Sequence, residues 1–104
     1  MKIEYANTYD GVEHTDRGCY VTFESGRNFY PLDPRPEEVH IEDIARGLSK
    51  LCRFNGHVSR IYTTAEHSLL MSYMTDDLEE QQWALLHDAP EYVVGDMVRP
   101  MKEM

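Results

Sequence analysis

The sequence predicts a mainly α-helical domain preceded by a short β-hairpin. Three observations carry that expectation. From Ile41 the apolar residues Ile41, Ile44, Ala45, Leu48, Leu51 and Cys52 recur at helical spacing and share one face. Two N-terminal capping pairs follow, Thr63 with Glu66 and Asp77 with Glu80. Before them, Cys19-Tyr20-Val21-Thr22-Phe23 is rich in β-formers, and Ser25-Gly26-Arg27-Asn28 has the composition of a turn. The chain is therefore expected to divide into an extended, hairpin-bearing segment over residues 1–36 and a helical domain over residues 37–104.

Residues 1–18 show no clear period, although Asp16-Arg17-Gly18 is turn-like. The hairpin is expected to pair Cys19–Phe23 with the short extended piece Asn28-Phe29-Tyr30-Pro31. Pro31, Pro34 and Pro36 then exclude helix and make residues 31–36 an extended connector. The first helix carries Glu42 and Asp43 at its start and Lys50 and Arg53 near its end, which suits the helix dipole. Gly47 inside it costs about 1 kcal/mol relative to alanine and allows close packing. Gly56 ends that helix after Phe54 and Asn55. After an irregular link over 58–62, Thr63 caps a helix running to about Met74, with His67, Leu70, Met71 and Met74 on one face. Asp77 caps the next, over 78–88, where Trp83, Leu86, His87 and Pro90 share a face. Pro90 blocks continuation of that helix but suits the first turn of a new short one through Glu91, Tyr92 and Val93, closed by Gly95. Residues 96–104 read as loop or as the frayed start of another helix.

The 104 residues suffice for one domain. A hydrophobic content of 41% and a charged content of 28% are those of a soluble globular chain. Cys19 and Cys52 have no paired spacing and read as reduced thiols, which with the lack of a signal-like N-terminus points to the cytoplasm. No apolar run approaches the roughly 18 residues of a membrane span. The net charge of −9 leaves no basic stripe for a nucleic acid polymer. It leaves room for a small phosphorylated ligand, because a metal ion and one or two arginines can reverse the local field.

The chemistry-bearing residues gather late in the chain. His87, Asp88 and Glu91 lie within five residues, and His67 lies 20 residues upstream on a neighbouring helix. The short link between those helices predicts an antiparallel pair. Two imidazoles and one carboxylate on rigid elements suit a divalent metal with open positions. Glu91 stands where it can orient a water or shuttle a proton, and Asp96 after Gly95 can do the same for a leaving group. Arg53 and His57 can hold a phosphate, and Phe54 is the aromatic best placed near a base. Each residue also has a plainer reading. His67 alone reads as a half-buried helix residue. Asp88 alone reads as the N-cap of the short helix, with Glu91 at its third position. Glu91 and Asp96 read as solvated carboxylates, and most tyrosines as half-buried packing. His14 and His40 read as surface residues.

Arg53-Phe54, Glu66-His67-Ser68, His87-Asp88-Ala89-Pro90-Glu91, Gly95-Asp96 and Pro100-Met101-Lys102 occur in an order and spacing that resembles the HD-domain metal-dependent phosphohydrolases. The likeness is to the 5′-deoxynucleotidase-like branch. Upstream, Phe29–Pro34 and Ile41–Ala45 are similar to the small HD proteins of bacteria and phages, so the resemblance covers about residues 20–104. It implies an HD helical bundle in which His67, His87 and Asp88 bind the metal. Glu91 would orient water, Asp96 would be a second catalytic acid, and Arg53 would contact the phosphate. It implies hydrolysis of a nucleotide or deoxynucleotide phosphate ester with Co2+, Mn2+ or a similar divalent ion. The pattern also holds a fourth ligand, an aspartate past the Pro-x-Lys segment, whereas this sequence stops at Met104. The expectation is a form lacking the C-terminal part, with uncovered apolar faces that favour a homo-oligomer. Two further classes fit the same residues: a catalytically inactive nucleotide- or protein-binding module, and a non-haem iron oxygenase, for which the chain shows too few ligands.

Overall fold

The computed structural model describes residues 16–103. The readings of Tyr5, Tyr9 and His14 lie outside the described residues. The protein is mainly helical with one short two-stranded antiparallel hairpin. It forms two compact units, divided between His40 and Ile41, four residues after the boundary expected from the prolines.

In the first unit, β1 (Val21–Thr22) pairs with β2 (Asn28–Phe29), Val21 opposite Phe29 and Thr22 opposite Asn28. The turn closes through the Phe23 amide donating to the Arg27 carbonyl at 2.9 Å, with Gly26 at a φ of 91° that its lack of Cβ permits. Phe29 is buried and stacks on Phe23 at 6.2 Å. Arg17 is the hub beside them. Its guanidinium lies 4.0 Å from the Tyr30 ring centroid and pairs with Asp33 at 2.7 Å and Glu38 at 2.6 Å. Its hydrogen bonds hold both carboxyls below their ordinary range. The connector departs from the extended form expected of it. Asp33 donates to the Tyr30 carbonyl across a turn at Pro31, and Pro36 opens a 3-10 turn, Pro36–Glu38. Proline forbids a helix interior, but its fixed φ suits both the second position of a turn and the first position of a helix.

The second unit contains α1 (Ile41–Lys50), α2 (Thr64–Ser72), α3 (Leu78–Leu86), α4 (Glu91–Val94) and α5 (Arg99–Lys102). Ile44 and Leu48 form the buried face of α1. Gly47 faces α4, where a Cβ would come within 3.0 Å of the Tyr92 Cβ, so the glycine sets the approach of the two helices. The helix stops at Lys50, short of the expected Cys52, because the next residues join an antiparallel strand-like contact. Cys52 bridges Thr63, Arg53 donates to the Tyr62 carbonyl at 2.8 Å, and Thr64 donates to Leu51 at 2.8 Å. Long-range backbone bonds take the place of one more helical turn.

Both predicted N-caps are present. The Thr63 hydroxyl accepts from the Glu66 amide at 3.1 Å, and Asp77 accepts from the Glu80 amide at 3.0 Å. The reciprocal half of each box is used elsewhere, since Glu66 pairs with Arg60 and Glu80 accepts from Thr75. The face that α2 buries differs from the expected one. Thr64, Ser68 and Ser72, at i, i+4 and i+8, are buried, whereas Leu70 and Met74 are exposed. Small residues on the inner face allow close packing against α1 and α3, and the larger apolar residues point outward. Leu69, Leu85 and Leu86 line an apolar groove of about 290 Å³ with Ile44 and Leu48, floored by Ser68.

Candidate metal centre

α2 and α3 place His67 beside His87, ring centroids 5.7 Å apart, and the turn after α3 adds Asp88. One ligand atom from each of His67, His87 and Asp88 lies within 4.8 Å of the others. Among the described residues these three form the group. All three are half-buried, a setting in which the interaction with a cation is less screened than at an open surface.

The hydrogen bonds at His87 define how its ring is used. Nδ1 lies 2.7 Å from the Ala84 carbonyl, which can only accept, so Nδ1 carries the proton. Nε2 then faces the Asp88 carboxylate at 3.0 Å. Two lone pairs that close repel unless a proton or a metal ion lies between them, and the backbone contact is the kind of outer support that aims a metal-binding imidazole. The donor set of two nitrogens and one carboxylate fits Mn2+, Co2+, Fe2+ or Zn2+ better than Ca2+ or Mg2+. On its other face His87 carries the Trp83 indole, 5.2 Å between centroids and 18° between planes. The capping reading of Asp88 does not hold: Pro90 is the N-cap of α4 and no side chain caps it.

Burial first, and the Arg53 guanidinium second, lower the His67 pKa below its ordinary value, and Arg53 Nη1 lies in hydrogen-bond contact with Nδ1. The neutral ring is the form that ligates metal. Guanidinium only donates, so Nδ1 accepts here and the ring's proton lies on Nε2. Ligation through Nε2 would require the proton to move to Nδ1 and Arg53 to leave it, which would free the guanidinium for an anion. Arg53 stands on a strained turn. Phe54 and Asn55 have φ values of 55° and 56°, in the left-handed region that bulky residues avoid, ahead of Gly56 at 85°. Such strain, of order 1–3 kcal/mol per residue, clusters at binding and catalytic sites. The turn holds the Phe54 ring 4.8 Å from the guanidinium carbon, with Tyr62 at 5.7 Å.

Burial raises the Glu91 carboxyl above its ordinary range, and the Asp88 and Asp96 carboxylates raise it further. Glu91 thus lies within the electrostatic reach of Asp88 and Asp96. Asp96 lines a cavity of about 290 Å³ with Arg53, Phe54, Arg99 and Lys102. His57 is exposed and does not line that cavity. Its amide closes the turn by donating to the Phe54 carbonyl at 3.0 Å. Sequence reasoning gave no site role to Trp83, Arg99 or Lys102. Trp83 had a signal in its i, i+4 relation to His87. Arg99 had none, being one cation in a terminal stretch.

No family model matches the chain. Two relatives do. One is an uncharacterized protein of Rhodobacter capsulatus, 46% identical over 86 residues, which are 75% of this chain and 44% of the relative. The other is the uncharacterized protein YfdR of Escherichia coli, 39% identical over 80 residues, 77% of this chain and 44% of YfdR. The chain thus spans rather less than half the length of either. Among the described residues no helix is long and apolar enough to cross a membrane, and neither Cys19 nor Cys52 forms a disulfide.

Proposed function

We propose that this chain carries the metal-binding part of an HD-type phosphohydrolase that hydrolyses a nucleotide or deoxynucleotide phosphate ester in the cytoplasm. The observation that carries the reading is the convergence of His67, His87 and Asp88, with Arg53 touching one ligand and Glu91 beside another. Metal, phosphate-binding cation and a carboxyl of raised pKa are the parts that phosphate hydrolysis needs.

A divalent ion of the Mn2+ or Co2+ type, when bound, supplies charge neutralisation at phosphorus and a water of lowered pKa. The chain's residues do the rest. His67, His87 and Asp88 hold the ion. Arg53, once released from His67, would hold the phosphate, with the Phe54 ring beside its guanidinium. Glu91, half-buried among carboxylates, accepts a proton at its carboxylate from the attacking water. Asp96, which lines the same cavity as Arg53, would hand a proton to the leaving oxygen.

Three side chains would leave part of a divalent ion's coordination shell to other ligands. That gap motivates a second reading, an inactive module that binds a nucleotide or a protein partner. Metal analysis with a phosphate-release screen over nucleotides separates the two. The hydrolase reading expects release with Mn2+ or Co2+. His87→Ala and Asp88→Ala are expected to lose metal while keeping helix content by circular dichroism. Full metal and full activity in either variant would sink the assignment.

A further inference from the structure

The lining of the cavity beside the metal cluster is mainly cationic. Arg53, Arg99 and Lys102 line it, with Asp96 as the one acidic residue among the described lining. They are three of ten lysines and arginines in a chain with 19 aspartates and glutamates, so the local field runs against the molecule's net charge of −9. A divalent ion beside the Asp88 carboxylate leaves one positive charge, and Arg53 adds a second. Together they match the dianion of a phosphate monoester. Within the described lining Arg99 and Lys102 outnumber Asp96, and Glu91, outside that lining, shares the charge of Lys102 with any anion bound there. Glu103 does not quench Arg99, because the pair is 3.7 Å apart with side chains 81% and 67% exposed, where solvent screens it.

We propose that Arg99 and Lys102 bind a second phosphate group on the same nucleotide, so that the preferred ligand carries two phosphates or more. The inference rests on the nucleotide reading above. A second phosphate can follow the first directly, as in a 5′-diphosphate, or sit across the sugar, as in a 3′,5′-bisphosphate. Both present the same dianionic oxygens to Arg99 and Lys102. Both side chains are exposed, so neutral variants leave the packing of the unit untouched.

The test is titration calorimetry of the Mn2+-loaded full chain with 5′-monophosphates, 5′-diphosphates and 3′,5′-bisphosphates of the four deoxynucleosides. Wild type is compared with the Arg99→Gln, Lys102→Gln double variant. The expected result is about tenfold tighter binding of at least one doubly phosphorylated series than of its monophosphate. The double variant erases that preference and leaves monophosphate affinity unchanged, which also separates it from chelation of Mn2+ by free ligand. The series that shows the preference identifies the arrangement of the phosphates. Equal affinity for one and two phosphates, or a preference that survives the double substitution, overturns the inference and leaves the nucleotide reading standing. Failure of every nucleotide to bind the Mn2+-loaded chain overturns both.

Discussion

At the scale of the residue, the site depends on a few side chains in unusual conformations. Phe54 has a φ of 55°, where a Cβ crowds the backbone by about 1–2 kcal/mol. Phe54→Gly is therefore expected to be about 1 kcal/mol more stable than Phe54→Ala in urea denaturation, although both lose the ring against Arg53. Equal stability would mean the turn is not strained. Much of this level was legible. His67, His87, Asp88 and Glu91 could be picked out because metal chemistry restricts residue types and helical spacing fixes their side. The Arg53 contact with His67 was not legible, since it depends on the pairing of Cys52 with Thr63 across a loop.

At the scale of the element, two contacts give direct tests. Gly47→Ala ordinarily stabilises a helix by about 1 kcal/mol. Here the added methyl meets Tyr92 at 3.0 Å, and overpacking costs about 1–3 kcal/mol. The net expectation is a loss of about 1 kcal/mol by thermal denaturation, reduced when Tyr92→Gly removes the Cβ that the new methyl meets. In the hairpin unit, Arg17 depresses the Asp33 and Glu38 carboxyls. Groups of that kind stabilise the fold above their unfolded pKa and lose the effect as pH falls through the depressed value. The unit is therefore expected to loosen below about pH 4, read from the near-ultraviolet dichroism of Tyr20 and Tyr30. Arg17→Met should flatten that acid dependence, and an unchanged profile would remove Arg17 as its cause. The helices and caps were visible in sequence because apolar period and capping residues are local signals. The inner face of α2 was not. Thr64, Ser68 and Ser72 form a stripe as regular as that of the leucines, and only the close approach of neighbouring helices decides which turns in.

At the scale of the whole molecule, the fold class was open to reading because a change of period at Ile41 separates a β-rich stretch from a helical one. The groove between α1, α2 and α3 was not, because it results from three helices meeting. Metal is expected to tie the helical unit together. Mn2+ at a hundredfold excess over its dissociation constant should raise unfolding free energy by about 2.7 kcal/mol. The gain should vanish in Asp88→Ala, and a variant that keeps it would place the binding elsewhere. The stack of Trp83 on His87 adds an optical consequence. The chain has a single tryptophan, so all its indole emission comes from a ring in face-to-face contact with the His87 imidazole. A paramagnetic ion held there would quench that emission, and the protein would report its own occupancy without a label.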